Sequence, residues 1–228
     1  MRSSQCEFHY VWESSAVESK LDAAPLVCDK GNMPTETLSP PKGDGLPPRK
    51  HFTRTEVQQM LDAGLFAGQR FELIDGDLID KMGQNPRHAM TILRVHAILA
   101  RIFGFENVRA QLPIEVSPAD REKSWPEPDM AVVAGANPDY MKRHPRGDEL
   151  LLVVELADSS VAHDGTTKRD LYARAGVPEY WVLDIAGRRL IVHRELQDGR
   201  FARVESFAAE ETVSVGSGAS LTVASLLP

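Results

Sequence analysis

The order of apolar and polar positions changes character near residue 50. From His51 onward, stretches of helical or strand period alternate with turn residues. HFTRTEVQQMLDAGLF predicts a short helix, with Thr53 placed to cap it and Glu56 three residues on, the spacing of a capping box. FELIDGDLID predicts a hairpin, because Asp75-Gly76 stands between two apolar-containing arms. PRHAMTILRVHAILARIFG predicts a longer helix, with Pro86 near its first turn and Gly104 at its end. Its Arg87, Arg94 and Arg101 fall on one stripe, the pattern of a solvated face rather than of a phosphate-contacting one.

The second half alternates strand and helix. VRAQLPIEV, PDMAVV and LLLVVELA read as strands, and the third is almost continuously apolar, as in a strand buried on both faces. DGTTKRDLYARAG reads as a helix of about three turns closed by Gly176. EYWVLDI and RRLIVHREL form a strand pair across Ala186-Gly187, and FARVESFA onward reads as small β elements with a last short turn. The pattern predicts an α/β (α+β) domain with a central mixed β-sheet flanked by helices.

Residues 1–50 lack this order. Met33 to Lys50 holds five prolines and two glycines against two leucines. Such a segment buries too little apolar surface to offset its ordering entropy. The expectation is a flexible extension over 1–50 and one domain over 51–228. With 42% hydrophobic and 26% charged residues, the chain is neither wholly disordered nor fibrous, and no apolar run is long enough for a membrane helix. Cys6 and Cys28 make no disulfide framework and no metal-site spacing, and the start of the chain makes a poor secretory signal, which points to a reducing cytoplasm. The net charge of −7 lacks the basic surplus usual in nucleic-acid binders, so a nucleic-acid function needs local basic patches or bound cations.

Three polar residues stand where apolar ones belong. Glu155 follows LLLVV in the strand expected to be central, where alternation puts Leu151, Val153, Glu155 and Ala157 on one face. A buried carboxylate there costs several kcal/mol unless a metal ion or an ion pair neutralises it. Asp129 opens the strand DMAVV after Pro126, Glu127 and Pro128; taken alone, it reads as a turn or cap residue. Lys168 shares a helix face with Leu171, Tyr172 and Ala175 and so points toward the sheet, with Asp164 four residues before it. It reads either as a snorkelling residue tied to Asp164 or as part of a site. Taken together, two acids on neighbouring strands and an inward lysine suit Mg²⁺-assisted phosphodiester chemistry.

PEPDMAVV followed by LLLVVELADSSVAHDGTTKRDLYARAGVPEYWVLDI resembles the Uma-two family of putative restriction endonucleases, within the PD-(D/E)XK nuclease superfamily. RFELIDGDLI and NPRHAMTILRVHAIL match its N-terminal half, so the likeness spans about residues 51–228. It implies a restriction-endonuclease-like core, Asp129 as the PD aspartate and Glu155 as the acid of (D/E)XK. Ala157 stands where the plain pattern has lysine, and the resemblance moves that role to Lys168. Glu72 matches an additional N-terminal acid, with a hairpin residue pairing across the sheet as the other reading. His88, Asp164, Tyr172, Glu179 and Tyr180 also match. Of these, Tyr172 reads as packing, Glu179 and Tyr180 as strand support, and Asp164 as an orienting partner of Lys168. Ser159 and Ser160 lie in the loop beyond Glu155.

The resemblance implies a metal-dependent DNA endonuclease in which Asp129, Glu155 and Glu72 hold Mg²⁺ (or Mn²⁺) and Lys168 assists the water. The alternatives are a non-catalytic nucleic-acid-binding or regulatory module on the same fold and, last, a metal-free acid–base hydrolase. Cutting both strands of a duplex is easiest for a two-fold assembly, so a homodimer is expected.

Overall fold

The structure, a computed structural model, describes residues 49–81, 85–158, 164–216 and 218–228. The expectation about residues 1–50 therefore lies outside the described residues except at Arg49 and Lys50, as do Ser159 and Ser160.

Local signals act where the sequence placed them. Helix α1 (Arg54–Asp62) begins with a complete capping box between Thr53 and Glu56. Strands β1 (Phe71–Ile74) and β2 (Asp77–Asp80) are joined through Asp75 at φ 49° and Gly76 at φ 88°, the left-handed pair a two-residue hairpin requires. Helix α2 (Pro86–Phe103) is capped by Asn85, whose side chain accepts the His88 N–H, and ends at Gly104 with φ 92°.

Six strands form the central sheet, in the order β3 (Val108–Ala110), β4 (Met130–Val133), β5 (Leu150–Ala157), β6 (Tyr180–Asp184), β7 (Arg189–Gln197) and β8 (Arg200–Ala208). Only β5 and β6 run parallel, which makes the sheet mixed as expected. One face is covered by Ile92, Val95 and Leu99 of α2, packed on Leu152, Val154, Leu156, Trp181 and Leu183. The opposite face carries Val153, Ala157, Tyr180 and Val182 beneath Tyr172 and Val177. Each such side chain taken fully from water contributes about 1.5–3 kcal/mol, so burial on both faces accounts for the apolar run in β5.

The structure differs from the sequence expectations in four places. A register shift between Val132 and Val133 puts Leu150 rather than Leu151 in the core, and Leu151 is 41% exposed. The predicted three-turn helix is a π turn over Asp164–Lys168 leading into a short α3 (Arg169–Arg174). The strand expected in VRAQLPIEV has only three residues, because the chain leaves the sheet at Gln111, where φ is 51°. FARVESFA belongs to the nine-residue β8 of the main sheet, and the small β elements are only β9 (Thr212–Val215) and β10 (Ala219–Thr222). Among the described residues no helix is long and apolar enough to cross a membrane.

Candidate active site

Antiparallel pairing of β4 with β5 sets Met130 opposite Val154, so Asp129, one residue before β4, stands opposite Glu155. The two strands are also tied through the acid itself: Asp129 Oδ2 accepts the N–H of Leu156 at 2.9 Å. Asp129 Oδ1 faces His88 Nε2 at 3.6 Å and lies 3.5 Å from Gln111 Nε2. Asp129 is 5% exposed. Burial works against its charge, but His88, Lys81 and the Leu156 N–H prevail and hold its carboxyl below the usual range. Asp129 is thus more than the turn residue its position alone suggests.

Glu155 sits on the opposite face from α2, 3% exposed. Its Oε1 accepts the Tyr172 hydroxyl at 2.7 Å and faces Lys168 Nζ at 3.1 Å. The inward reading of Lys168 is correct: its ammonium lies 2.5 Å from Glu72 Oε1 and 3.6 Å from Asp164 Oδ1 as well. Glu72 points in from β1, and its second oxygen accepts the Glu127 N–H at 3.2 Å. The hairpin therefore delivers Glu72 into the site rather than into a cross-strand pair.

Three carboxylates thus surround one ammonium in a region nearly closed to water, with Asp129 on the neighbouring strand. Burial, the dominant influence on Glu155, pushes its carboxyl up to about 8; Lys168 opposes that rise, while Asp129, Glu72 and Asp164 add to it. Burial alone would lower the lysine, but Glu155, Glu72 and Asp164 outweigh it and raise it. The surplus negative charge keeps the proton on the ammonium and raises the tendency of Glu155, the most deeply buried acid, to hold one as well.

Two residues gain roles that the sequence did not assign them. Tyr172 packs as expected but also donates to Glu155; its helix face was legible, whereas the hydroxyl partner was not. His88 is brought to Asp129 by the cap at Asn85, which also donates to Asp158 just beyond β5 at 2.9 Å. Glu179 lies apart, accepting from Trp181 and Arg194, and Tyr180 donates to the Asp164 carbonyl at 3.0 Å. A surface cleft of about 540 Å³ at Arg54, Gln58, Pro118 and Arg121 contains none of these acids.

Among the described residues, no three acidic, histidine or cysteine side chains converge as a ready-made metal cage. Mg²⁺ needs only one or two carboxylates and keeps several waters. Asp129 and Glu155, hard oxygen donors facing each other across β4 and β5, fit that demand. Glu72 adds a third oxygen donor from β1, its Oε1 held by Lys168 and its Oε2 by the Glu127 N–H.

Comparison with known proteins places this geometry. A search of curated proteins finds no match. A crystal structure of a putative nuclease belonging to DUF820 from Anabaena variabilis superposes with a TM-score of 0.51 at 16% identity, covering 73% of this chain and 96% of that one. At that identity the likeness concerns the fold. The Uma2 profile, described as putative restriction endonuclease, matches residues 55–224, a span that includes every acid of the site together with Lys168. The chain belongs to the Uma2 family.

Proposed function

We propose that this protein is a Mg²⁺-dependent DNA endonuclease that hydrolyses phosphodiester bonds, with Mn²⁺ as a substitute. The observation that carries the reading is the pairing of Asp129 with Glu155 across adjacent strands, with the Lys168 ammonium directed at Glu155. Family membership supports nuclease chemistry in general.

In this reading Asp129 and Glu155 hold the cation, which supplies positive charge where the phosphate gains negative charge. The His88 contact and the Leu156 N–H keep Asp129 ionised and fixed. Lys168, held by Glu72, Glu155 and Asp164, assists the attacking water by turning one of its three N–H groups toward it. Tyr172 fixes the Glu155 carboxyl. The negative net charge is answered locally. Helix α2 starts beside Asp129 and carries Arg87, Arg94 and Arg101 outward, none paired with a carboxylate among the described residues.

Calorimetric titration of Mg²⁺ and Mn²⁺ into the wild type, Asp129→Asn and Glu155→Gln, with and without duplex DNA, tests the reading. A plasmid-nicking assay with and without EDTA runs beside it. Saturable binding lost in both variants, with EDTA-sensitive nicking reduced at least about 100-fold, is the expected result. Cation-independent, salt-sensitive DNA binding that survives both substitutions would replace the reading with a non-catalytic binding module, in which Lys168 serves only to neutralise the acids.

A further inference from the structure

The two edges of the central sheet are unequal. The β3 edge is three residues long and offers little to pair with. The β8 edge is nine residues long, contains neither proline nor lysine, and has a second strand, β7, on one side only. A long unpaired edge presents a row of backbone donors and acceptors, which proteins usually blunt with short strands, prolines, charged side chains or bulges. Here one edge is short, while the long one is guarded only by the charges of Arg200, Arg203 and Glu205, which are of both signs. At the middle of β8, Val204 is 55% exposed.

The sequence of that edge is self-complementary. FARVESF, residues 201–207, reads outward from Val204 as arginine on one side and glutamate on the other, then two small residues, then two phenylalanines. We infer that β8 pairs antiparallel with β8 of a second copy about a two-fold axis through Val204, joining the two six-stranded sheets into one. That register sets Arg203 opposite Glu205 of the second copy, and two-fold symmetry makes the pair twice, whereas Phe201 and Phe207 pack on opposite faces of their own sheet and make no pair across the seam. Opposite charges directly across an antiparallel pair are favourable and like charges unfavourable. Moving the axis to Arg203 sets arginine against arginine; moving it to Glu205 sets glutamate against glutamate. The charges therefore select the register as well as the partner. Within one chain Arg203 already lies 2.8 Å from Glu205 and 3.3 Å from Glu195, so the side chains are gathered along the line where the second copy arrives.

The inference stands apart from the nuclease reading, since none of these residues belongs to the acid cluster. Light scattering after gel filtration, on the full chain, is the test. The wild type is expected to be dimeric. R203E and E205R each turn two attractive pairs into repulsive ones, and each is expected to weaken dimerisation by roughly tenfold or more. The double variant R203E/E205R restores opposite charges in the same register and is expected to dimerise like the wild type. Circular dichroism confirms that all the variants are folded. A monomeric wild type at high concentration, single variants that dimerise undiminished, or a folded double variant that remains monomeric would overturn it.

Discussion

Lys168 Nζ lies 2.5 Å from Glu72 Oε1, linking the π turn before α3 to the first hairpin through an ion pair in which each side chain is 5% exposed or less. Glu155 and Asp164 complete the shell, so this lysine is the cation on which three buried acids depend. Removing one partner of a buried pair costs about 3–5 kcal/mol, because the other is left without compensation. Lys168→Met is expected to lose at least that much in urea unfolding. Adding Glu155→Gln removes the acid with the strongest tendency to hold a proton and recovers part of the loss. Additive losses in the double variant would show that the two groups are not coupled.

Tyr172 tests whether the hydroxyl or the ring matters. Tyr172→Phe keeps the buried ring against Tyr180, at 5.0 Å between centroids, and deletes only the bond to Glu155. Such a bond contributes about 0.5–1.5 kcal/mol net when Glu155 holds a proton, and about 1.5–3 kcal/mol when it is ionised. The expected result is a loss of that order with cooperative unfolding retained. In nicking assays the rate falls while folding at 25 °C stays complete. A variant as stable as the parent would mean that Glu155 takes another donor.

The parts of the site differ in how legible they were. Glu155 was legible because an acid interrupts an apolar run, and Lys168 because a cation sits at helical spacing from Leu171 and Tyr172. Both signals depend on local periodicity, which survives a change from α to π geometry at Asp164–Lys168. The Asp129–Leu156 bond, the arrival of Glu72 and the approach of His88 join segments far apart in sequence, and no local pattern encodes them. The length of β8 was missed for a related reason. RFARVESFA has weak alternation because it lies at an edge with much of its length exposed, so only its pairing with β7 reveals a full strand.

Acid should loosen the protein through three pairs outside the site. Arg143 holds the Glu149 carboxyl down to about 2, and Arg54 lowers Glu115. Burial of Asp120 works the other way, but Arg174 and Ser117 prevail and lower it too. A carboxylate depressed in the folded state contributes stability that is fully present above its unfolded value, near 4.5 for a glutamate, and lost as pH falls through the folded value. Melting temperature is therefore expected to drop between about pH 5 and pH 2. Glu149→Gln should flatten that limb while lowering the plateau near neutrality. A limb of unchanged steepness in the variant would assign acid sensitivity to other groups.

Under the proposed function, the arginines of α2 are where a chain of charge −7 would meet a polyanion. Arg87, Arg94 and Arg101 recur every two turns, about 10.5 Å apart along the helix, and all three are exposed. Arg87 donates to the Ile185 carbonyl at 3.2 Å and Arg94 to that of Leu227. A carbonyl orients a guanidinium without cancelling its charge, so both remain available to phosphate. Each phosphate contact contributes about 0.9 to the slope of log affinity against log salt for duplex DNA. Substituting all three by glutamine, which keeps a donor for the carbonyls, should lower that slope by up to about 2.7 if every arginine meets a phosphate. Affinity should fall alike for unrelated sequences, since backbone contacts carry no base information. The first turn of α2 carries His88 to Asp129, so the same variant should reduce nicking at low DNA concentration and recover at saturation. An unchanged slope would mean that the stripe is only the solvated face its spacing suggests, and that DNA approaches the acids from another side.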